Sequence, residues 1–466
     1  MVFSSIQFLF YFFPCFFLCY FLLPWKNVTL TVFSLLFYAW GEPRFVPILA
    51  AYIVANYGCG LVIGAAVGSQ RRWALNVGIS LNIGMLVYFK YLNFLTAELG
   101  GVVARLGLPP LEPTHVLLPL GISFMAFQGA SYLIDIYRGE VPPQRSLLLF
   151  TMYKVMFPQL IAGPIVRYRE VYNEIARRSP DVAEIYFGLR QFVIGLAQKV
   201  LIANVVAVPA DQIFALKPDE LGTATAWLGI ACYALQIYFD FAGYSNMAIG
   251  MGRMMGFHYP ENFNRPYAAV SITDFWRRWH MTLSRWFRDY VYVPLGGNRR
   301  GPVRMYVNMM IVFLLCGVWH GANWTFIVWG AWHGVFLVIE CLGVGPVIER
   351  AWWPLRHGYT LAVVMIGWVF FRTDTLTHAG GFLRSMFGVG GQSLQYPVER
   401  YATPTVMTAL VVGVFLATLP AKEVIWRTAR GTAAPVVANA MLLFLLALSM
   451  LSIAGGAYNP FIYYRF

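Results

Sequence analysis

Residues 305–340 read MYVNMMIVFLLCGVWHGANWTFIVWGAWHGVFLVIE. The stretch has no Lys, Arg or Asp, and its apolar residues continue on both sides of the tripeptide at 321–323. A membrane-spanning helix requires about 20 mostly apolar residues. The stretch therefore predicts two neighbouring helices in a lipid bilayer, with His320 and His333 inside apolar sequence.

Composition extends this prediction to the whole chain. Of the 466 residues, 59% are hydrophobic and 12% are charged, and the mean hydropathy is +0.61. A soluble protein normally has about twice that charged fraction, so a soluble enzyme, a disordered chain and a disulfide scaffold are excluded. The sequence predicts an all-α, polytopic integral membrane protein that forms one domain over residues 1–466. Candidate spans lie near residues 5–23, 28–40, 45–67, 73–95, 116–137, 146–165, 184–209, 224–251, 305–320, 322–345, 358–372, 404–420 and 436–454.

The charges predict an orientation. The chain has a formal net charge of +13, with 34 basic residues, and the loops 167–178 and 265–304 are strongly basic. The connection 210–222 carries three acidic residues against one Lys, and one candidate span separates it from each basic loop. The positive-inside rule places both basic loops in the cytoplasm. Long apolar runs separate the basic residues, so no nucleic-acid partner is predicted.

His320 is the first candidate for chemistry. It follows fifteen mostly apolar residues, which places it more than about 20 Å along a helix from the basic end. An ionisable residue at that depth is a functional candidate. His333 follows thirteen residues later, about 220° around a continuous helix, which argues against a chelating pair unless residues 321–323 break the helix. We expect His333 to be an interfacial or packing residue beside Trp332.

Segment 265–304, RPYAAVSITDFWRRWHMTLSRWFRDYVYVPLGGNRRGPVR, contains eight Arg against two Asp and supplies +6 of the net charge. As one helix it is amphipathic, and its arginines could meet anionic lipid headgroups. The apolar face would carry Trp276, His280, Leu283, Phe287 and Tyr290, and the other face Arg277, Ser284, Arg285 and Arg288. His280 on the apolar face must be hydrogen-bonded, neutral or functional. The turn at 296–300 could bind phosphates or could be a simple cytoplasmic loop.

A third polar feature lies in ALQIYFDFAGYSNMAIGMGRMMGF, residues 234–257. Asp240 is a carboxylate within an apolar span and requires a partner, for which Arg253 or a histidine could serve. A structural polar network and a catalytic role both remain open. The six cysteines lack the spacing that zinc requires, so no metal site is predicted.

Several long strings carry a resemblance to a known family. They are IYFDFAGYSNMAIGMGRMMGF, ENFNRPY, SITDFWRRWHMTLSRWFRDYVYVPLGGNR and GVWHGANWTFIVWGAWHG, supported by MVFSSIQFLF, THVLLPLGISF, FPQLIAGPIVRY and NPFIYYRF. The chain resembles the bacterial branch of the membrane-bound O-acyltransferases, and within it the membrane subunits of alginate O-acetyltransferases. The resemblance implies a multi-helix fold with a tunnel through the membrane and re-entrant or amphipathic helices. It also implies a catalytic region at 265–345, with His320 and His280 at the paired site.

The resemblance also implies a reaction. His320, kept neutral by desolvation, would act as general base on an acceptor hydroxyl that attacks a thioester, and His280 would orient the acceptor, stabilise the oxyanion or relay the proton. An acyl-histidine intermediate is also chemically possible. The donor would be acetyl-CoA, with no permanently bound cofactor. Candidate donor-binding residues are Arg277, Arg285, Arg288, Asn298, Arg299 and Arg300. Candidate substrate or tunnel residues are Asp240, Tyr244, Ser245, Phe263, Trp276, Trp319 and Asn323.

The expected location is the bacterial inner membrane, in contact with lipid. Expected partners are a periplasmic or membrane-anchored acceptor protein and a polysaccharide such as alginate, cellulose or peptidoglycan glycan. The alternatives are a transporter or polymer-export subunit, which intramembrane Asp240 and His320 would also suit, and an acyltransferase for another acyl group. Transporters built from repeats should show symmetry between the two halves, and the sequence shows none.

Overall fold

The computed structural model describes residues 2–109, 114–161, 163–389, 395–419, 433–456, 458–460 and 462, and all structural statements below concern these residues. Within them the regular secondary structure is helical, without a β-strand. The predicted all-α class is therefore confirmed.

The helices are numbered in chain order. The first eleven are α1 (Phe13–Leu22), α2 (Lys26–Gly41), α3 (Val46–Ala65), α4 (Gly68–Leu86), α5 (Leu92–Arg105), α6 (Ile122–Arg138), α7 (Leu147–Val155), α8 (Phe157–Leu160), α9 (Tyr168–Ala176), α10 (Val182–Ala197) and α11 (Asn204–Phe214). The others are α12 (Thr223–Met254), α13 (Ile272–Arg278), α14 (Met281–Phe287), α15 (Pro302–His320), α16 (Trp324–Ile339), α17 (Gly345–Arg350), α18 (Trp353–Arg372), α19 (Leu376–Met386), α20 (Pro404–Thr418) and α21 (Ala433–Ala454). Turns of π-helix join several neighbours, as at Gln198–Ala203 between α10 and α11.

Six helical stretches in the described ranges are long and apolar enough to cross a membrane. They are Pro43–Ala65, Gly68–Arg105, Val182–Phe214, Pro302–His320, Trp324–Arg350 and Pro435–Ala454, with shorter apolar helices at Gln7–Leu22 and Pro404–Thr418. Their surfaces expose large apolar side chains such as Leu443 and Val411, which suits contact with lipid. The predicted membrane-spanning character is confirmed.

Two predicted spans differ from the structure. Segment 146–165 is not one helix, because α7 ends at Val155 and the short α8 begins after Met156, which has φ −49° and ψ +108°. Pro158 lacks an N–H and disfavours a continuous helix at that point. In segment 116–137 the helix begins only at Ile122, after Gly121 in the left-handed conformation with φ +72°.

The described residues form two compact units, the first covering residues 2–189 and 248–260. Its aromatic core includes Phe8, Phe12 and Phe157, and the ring centroids of Phe12 and Phe157 are 5.2 Å apart. Arg178 ties distant segments together, since it donates to the Asn27 side chain at 2.7 Å and lies 4.2 Å from the ring centroid of Phe257.

The second unit covers residues 190–247 and the described residues from 261 onward. Glycines allow its helices to cross closely. An ideal Cβ on Gly243 of α12 would lie 2.7 Å from the Gly195 carbonyl oxygen of α10. In α15 and α16, Cβ atoms on Gly317 and Gly330 would collide with backbone carbonyls of the opposite helix. This second crossing fixes α15, whose last residue is His320.

Candidate active site

Segment 265–304 is not the single amphipathic helix that its periodicity predicts. Helix α13 ends at Arg278 and α14 begins at Met281, because His280 has φ +41° and ψ +53° in the left-handed region. The Met281 N–H donates to the Asn262 carbonyl at 2.9 Å instead of continuing the helix. Trp276 and His280 therefore do not share one continuous helical face.

The start of α13 is held by a buried carboxylate. Glu340, which follows α16, accepts hydrogen bonds from the backbone N–H groups of Ile272 at 2.6 Å and Thr273 at 2.9 Å. It also accepts one from the Thr273 hydroxyl at 2.6 Å. A negative charge at a helix N-terminus is stabilising, so this contact anchors the segment that leads to His280.

Asn262 fixes the orientation of the fully buried His280 ring. The Asn262 Oδ1 lies 2.9 Å from His280 Nδ1 and accepts from the Thr282 hydroxyl at 2.8 Å and the Thr282 backbone N–H at 3.4 Å. Because the backbone N–H can only donate, this oxygen is an acceptor and His280 Nδ1 carries the proton. Asn262 Nδ2 in turn donates to Ser245 Oγ at 3.1 Å.

His320 ends α15 and is also buried. Its Nδ1 lies 2.7 Å from the Cys316 carbonyl oxygen, which can only accept, so Nδ1 again carries the proton. Ring centroids of Trp319, Trp329 and Phe371 lie 4.8, 4.7 and 5.3 Å from that of His320. The aromatic walls exclude water and leave Nε2 as the basic atom of the ring.

The structure brings the two histidines together. The Trp319 ring lies between them, because its centroid is 6.3 Å from that of His280 and 4.8 Å from that of His320. His280 Nε2 is buried and has no hydrogen-bond partner within the described ranges. The arrangement therefore presents two buried imidazoles, each of which donates from Nδ1 to an oxygen atom of a neighbouring residue.

Several predicted tunnel residues surround this pair. Ser245 supports Asn262, the Phe263 ring centroid lies 6.4 Å from that of His280, and Tyr244 is buried one residue before Ser245. Position 263 in ENFNRPY was predicted to be a substrate or tunnel residue, but the adjacent Asn262, which holds His280, was not predicted. An amide side chain just before an aromatic residue in that motif was the available signal.

Three other predicted residues have structural contacts elsewhere. Asn323 caps α16, since its Oδ1 accepts from the Thr325 N–H at 3.1 Å and its Nδ2 donates to the Asp374 carbonyl at 2.8 Å. Trp276 contacts His333, with ring centroids 5.2 Å apart. His333 is fully buried, so an interfacial position for it is excluded. Asp240, the third, is paired with a lysine.

The carboxylate of Asp240 forms a buried ion pair with Lys199, at 2.7 Å, and not with Arg253 or a histidine. Arg253 instead pairs with Glu184 at 2.7 Å. The Asp240 Oδ2 also accepts from the Ile462 N–H at 2.8 Å, and Lys199 donates to the Pro460 carbonyl. The ion pair therefore binds the C-terminal segment to α12.

The predicted donor-binding residues lie in α13, in α14 and in the turns that follow α14. Arg277, Arg288, Arg299 and Arg300 are exposed, as is Asn298, and Arg285 is partly buried. Arg288 pairs with Asp289 at 2.8 Å, and Arg285 donates to the Glu261 carbonyl at 3.1 Å. No carboxylate pairs with Arg277, Arg299 or Arg300 among the described residues.

The turn at 296–300 is held against α15. The Asn308 side chain donates to the Gly297 carbonyl at 3.1 Å, and the Tyr292 hydroxyl donates to Asn298. Partial burial, with a smaller effect of the Cys341 thiol, raises the pKa of Tyr292 and keeps this donor protonated. Arg299 and Arg300 thus lie at a fixed position just before α15 begins.

Comparison with known proteins identifies the family of the chain. The family model for membrane-bound O-acyltransferases matches residues 141–370. The chain is 41% identical to a probable alginate O-acetylase of Pseudomonas putida over the full length of both proteins. It is 35% identical to a peptidoglycan O-acetyltransferase of Helicobacter pylori over 84% of this chain and 81% of that protein. A teichoic acid D-alanyltransferase of Bacillus subtilis is 31% identical over 55% of this chain and 68% of its own.

Proposed function

Because the chain belongs to the membrane-bound O-acyltransferase family and is a multi-pass membrane enzyme that transfers acyl groups to oxygen, we propose that it acetylates an extracytoplasmic polysaccharide. The proposed donor is acetyl-CoA on the cytoplasmic side of a bacterial inner membrane. Full-length similarity to a probable alginate O-acetylase supports an alginate-like acceptor, and similarity to a peptidoglycan O-acetyltransferase supports a glycan acceptor more generally.

The histidine pair is the observation that carries this proposal. Nδ1 of His320 donates to the Cys316 carbonyl, so Nε2 has the lone pair that a general base requires. Nε2 would take the proton of an acceptor hydroxyl as its oxygen forms a bond to the thioester carbonyl carbon. The carbon–sulfur bond then breaks, and the imidazolium returns the proton to the departing thiolate. The products are an O-acetyl ester and free CoA.

His280 would position the acceptor. With its Nδ1–H donated to Asn262, its Nε2 can accept a hydrogen bond from a hydroxyl but cannot donate one to an oxyanion while neutral. Of the roles considered from the sequence, orientation of the acceptor and proton relay suit this tautomer. Correct orientation of a nucleophile can supply several kcal/mol of rate acceleration.

The arginine-rich turns would receive the donor. CoA carries phosphates, and Arg binds phosphate with planar, paired N–H groups. Arg277, Arg299 and Arg300 are exposed, pair with no carboxylate in the described ranges, and meet that requirement; the positive-inside rule predicts that they lie in the cytoplasm. We include a periplasmic or membrane-anchored acceptor protein in the proposal as the carrier between this site and the polysaccharide.

The experiment uses purified protein in lipid nanodiscs with acetyl-CoA and measures release of the CoA thiol; labelled acetyl ester on an alginate oligosaccharide is measured with and without the acceptor protein. We expect His320→Ala to remove turnover while the protein still folds and inserts. His357→Ala, at a half-buried histidine on α18, serves as the control and should keep near-normal turnover. Normal turnover by His320→Ala, or a preference for palmitoyl-CoA over acetyl-CoA, would contradict the proposal.

A further inference from the structure

A second polar cluster lies beside the active site. Trp276, Trp329 and His333 are at most 8% exposed. Neither indole N–H has a hydrogen-bond partner in the described part of the chain, and neither ring nitrogen of His333 has one there. Three neighbouring side chains thus contain four buried polar atoms without a partner among the described residues.

These side chains touch one another and the catalytic histidine. The His333 ring centroid lies 5.2 Å from that of Trp276 and 5.4 Å from that of Trp329, and the two indoles are 5.7 Å apart. Trp329 also lies 4.7 Å from His320. The cluster is therefore continuous with the active site through Trp329.

Packing alone does not account for these residues. A buried polar group without a partner costs about 1–3 kcal/mol, a cost that an apolar side chain at the same position would not carry. The glycine at position 367 also allows the imidazole to fit, because an ideal Cβ on Gly367 would lie 2.7 Å from His333 Nε2. Such uncompensated groups beside a reaction centre indicate contact with a polar ligand.

The cluster lies between the arginine-rich turns and His320. Gly334, next to His333, faces Met310 and Phe313 of α15, seven to ten residues before His320. At 1.5 Å per residue, Met310 and Phe313 lie about 10–15 Å along α15 from His320, toward Arg299 and Arg300. A donor with its phosphates at these arginines and its thioester at His320 must pass this level.

We propose that Trp276, Trp329 and His333 bind the amide groups of the donor's thioester arm, an inference that rests on the proposed function. A secondary amide offers one carbonyl and one N–H. The indole N–H groups donate to the carbonyl, and a neutral imidazole nitrogen accepts from the N–H. The aromatic faces pack against the methylene groups between the amides. The site therefore selects a donor whose thioester arm carries amides.

The test compares Trp329→Phe and His333→Phe with Trp332→Phe in the purified full-length protein. Trp332 is the matched control, because its N–H already donates to the Val363 carbonyl at 2.9 Å. The donors are acetyl-CoA, S-acetyl-N-acetylcysteamine, which carries one amide, and S-ethyl thioacetate, which carries none. Thiol release gives kcat/KM, quenching of tryptophan fluorescence gives the affinity for CoA, and thermal unfolding gives the stability.

We expect Trp329→Phe and His333→Phe to lower kcat/KM for both amide-bearing donors about tenfold, to weaken CoA binding similarly, and to change use of S-ethyl thioacetate less than twofold. Their thermal midpoints should fall less than that of Trp332→Phe, which loses a hydrogen bond as well as ring volume. Trp332→Phe should lower the midpoint without distinguishing the donors.

Equal effects of the two variants on all donors, or no effect on kinetics and CoA binding, would overturn the inference. If the wild type itself fails to use acetyl-CoA, the proposed function falls. The CoA affinities then still decide whether the cluster binds the arm.

Discussion

Replacement of Lys199 by Met gives a direct measure of the role of Asp240. The side chains of Lys199 and Asp240 are 3% and 2% exposed, and their charged atoms are 2.7 Å apart. In Lys199→Met the carboxylate keeps only the Ile462 N–H as a polar contact among those described. Removal of one partner of a buried ion pair costs about 3–5 kcal/mol, because the other charge remains buried.

A second variant separates charge burial from the loss of other contacts. Lys199→Met combined with Asp240→Asn removes both charges, and the Asn oxygen still accepts from the Ile462 N–H. The hydrogen bond from Lys199 to the Pro460 carbonyl is lost in both variants, at about 1 kcal/mol. We therefore expect the double variant to be destabilised by about 1 kcal/mol, which is about 2–4 kcal/mol less than Lys199→Met.

The assay follows unfolding in mixed micelles as the fraction of SDS rises, with tryptophan fluorescence as the signal, and measures acetyl transfer below the unfolding midpoint. The double variant should retain activity within about threefold of the wild type. If it is as unstable as Lys199→Met, the ion-pair reasoning is refuted. If it is stable but loses more than tenfold in activity, Asp240 takes part in the chemistry, as the sequence allowed.

Two further predictions concern the site and its scaffold. Asn262→Leu should lower kcat at least tenfold with little change in the KM for the donor, because His280 loses the acceptor that fixes its tautomer. Asn264→Ala, at an exposed position, is the control. An unchanged kcat in Asn262→Leu would exclude Asn262 from the mechanism. Gly317→Ala should destabilise the protein by about 1–3 kcal/mol and lower activity, because its methyl group would meet the Phe326 carbonyl. Gly358→Ala, which meets nothing within 4 Å, should be neutral or stabilising by up to about 1 kcal/mol, and equal losses in the two glycine variants would contradict the crossing argument.

Hydropathy predicted much of the fold, because a lipid environment leaves few alternatives. Backbone polar groups in a bilayer must be satisfied internally, so long apolar stretches become helices. Hydropathy predicted the helices correctly for residues 305–340, where α15 and α16 have nearly the predicted bounds. It failed at 146–165, where hydropathy continues through Met156 but the chain does not remain helical.

The site was predicted less completely, because its decisive contacts are non-local. Periodicity placed His280 on the apolar face of one helix, but the hydrogen bonds of Asn262, eighteen residues earlier, hold it in a left-handed turn. Likewise, an apolar span around Asp240 indicates that a partner is needed but does not identify Lys199 on another helix. His320 required no such information, since its depth within an apolar helix distinguishes it.

The close crossing of α15 and α16 has a mechanical consequence. Gly317, where the two backbones approach most tightly, lies three residues from His320 and fifteen residues from Pro302. The helix is about 4.5 Å long between Gly317 and His320 and about 22 Å long between Gly317 and Pro302. A 10° rotation of α15 about this fulcrum moves its arginine-bearing end by about 4 Å and His320 by less than about 1 Å. On the proposed function, this rotation would let the arginine-bearing end of α15 follow a bulky donor while His320 stays beside His280.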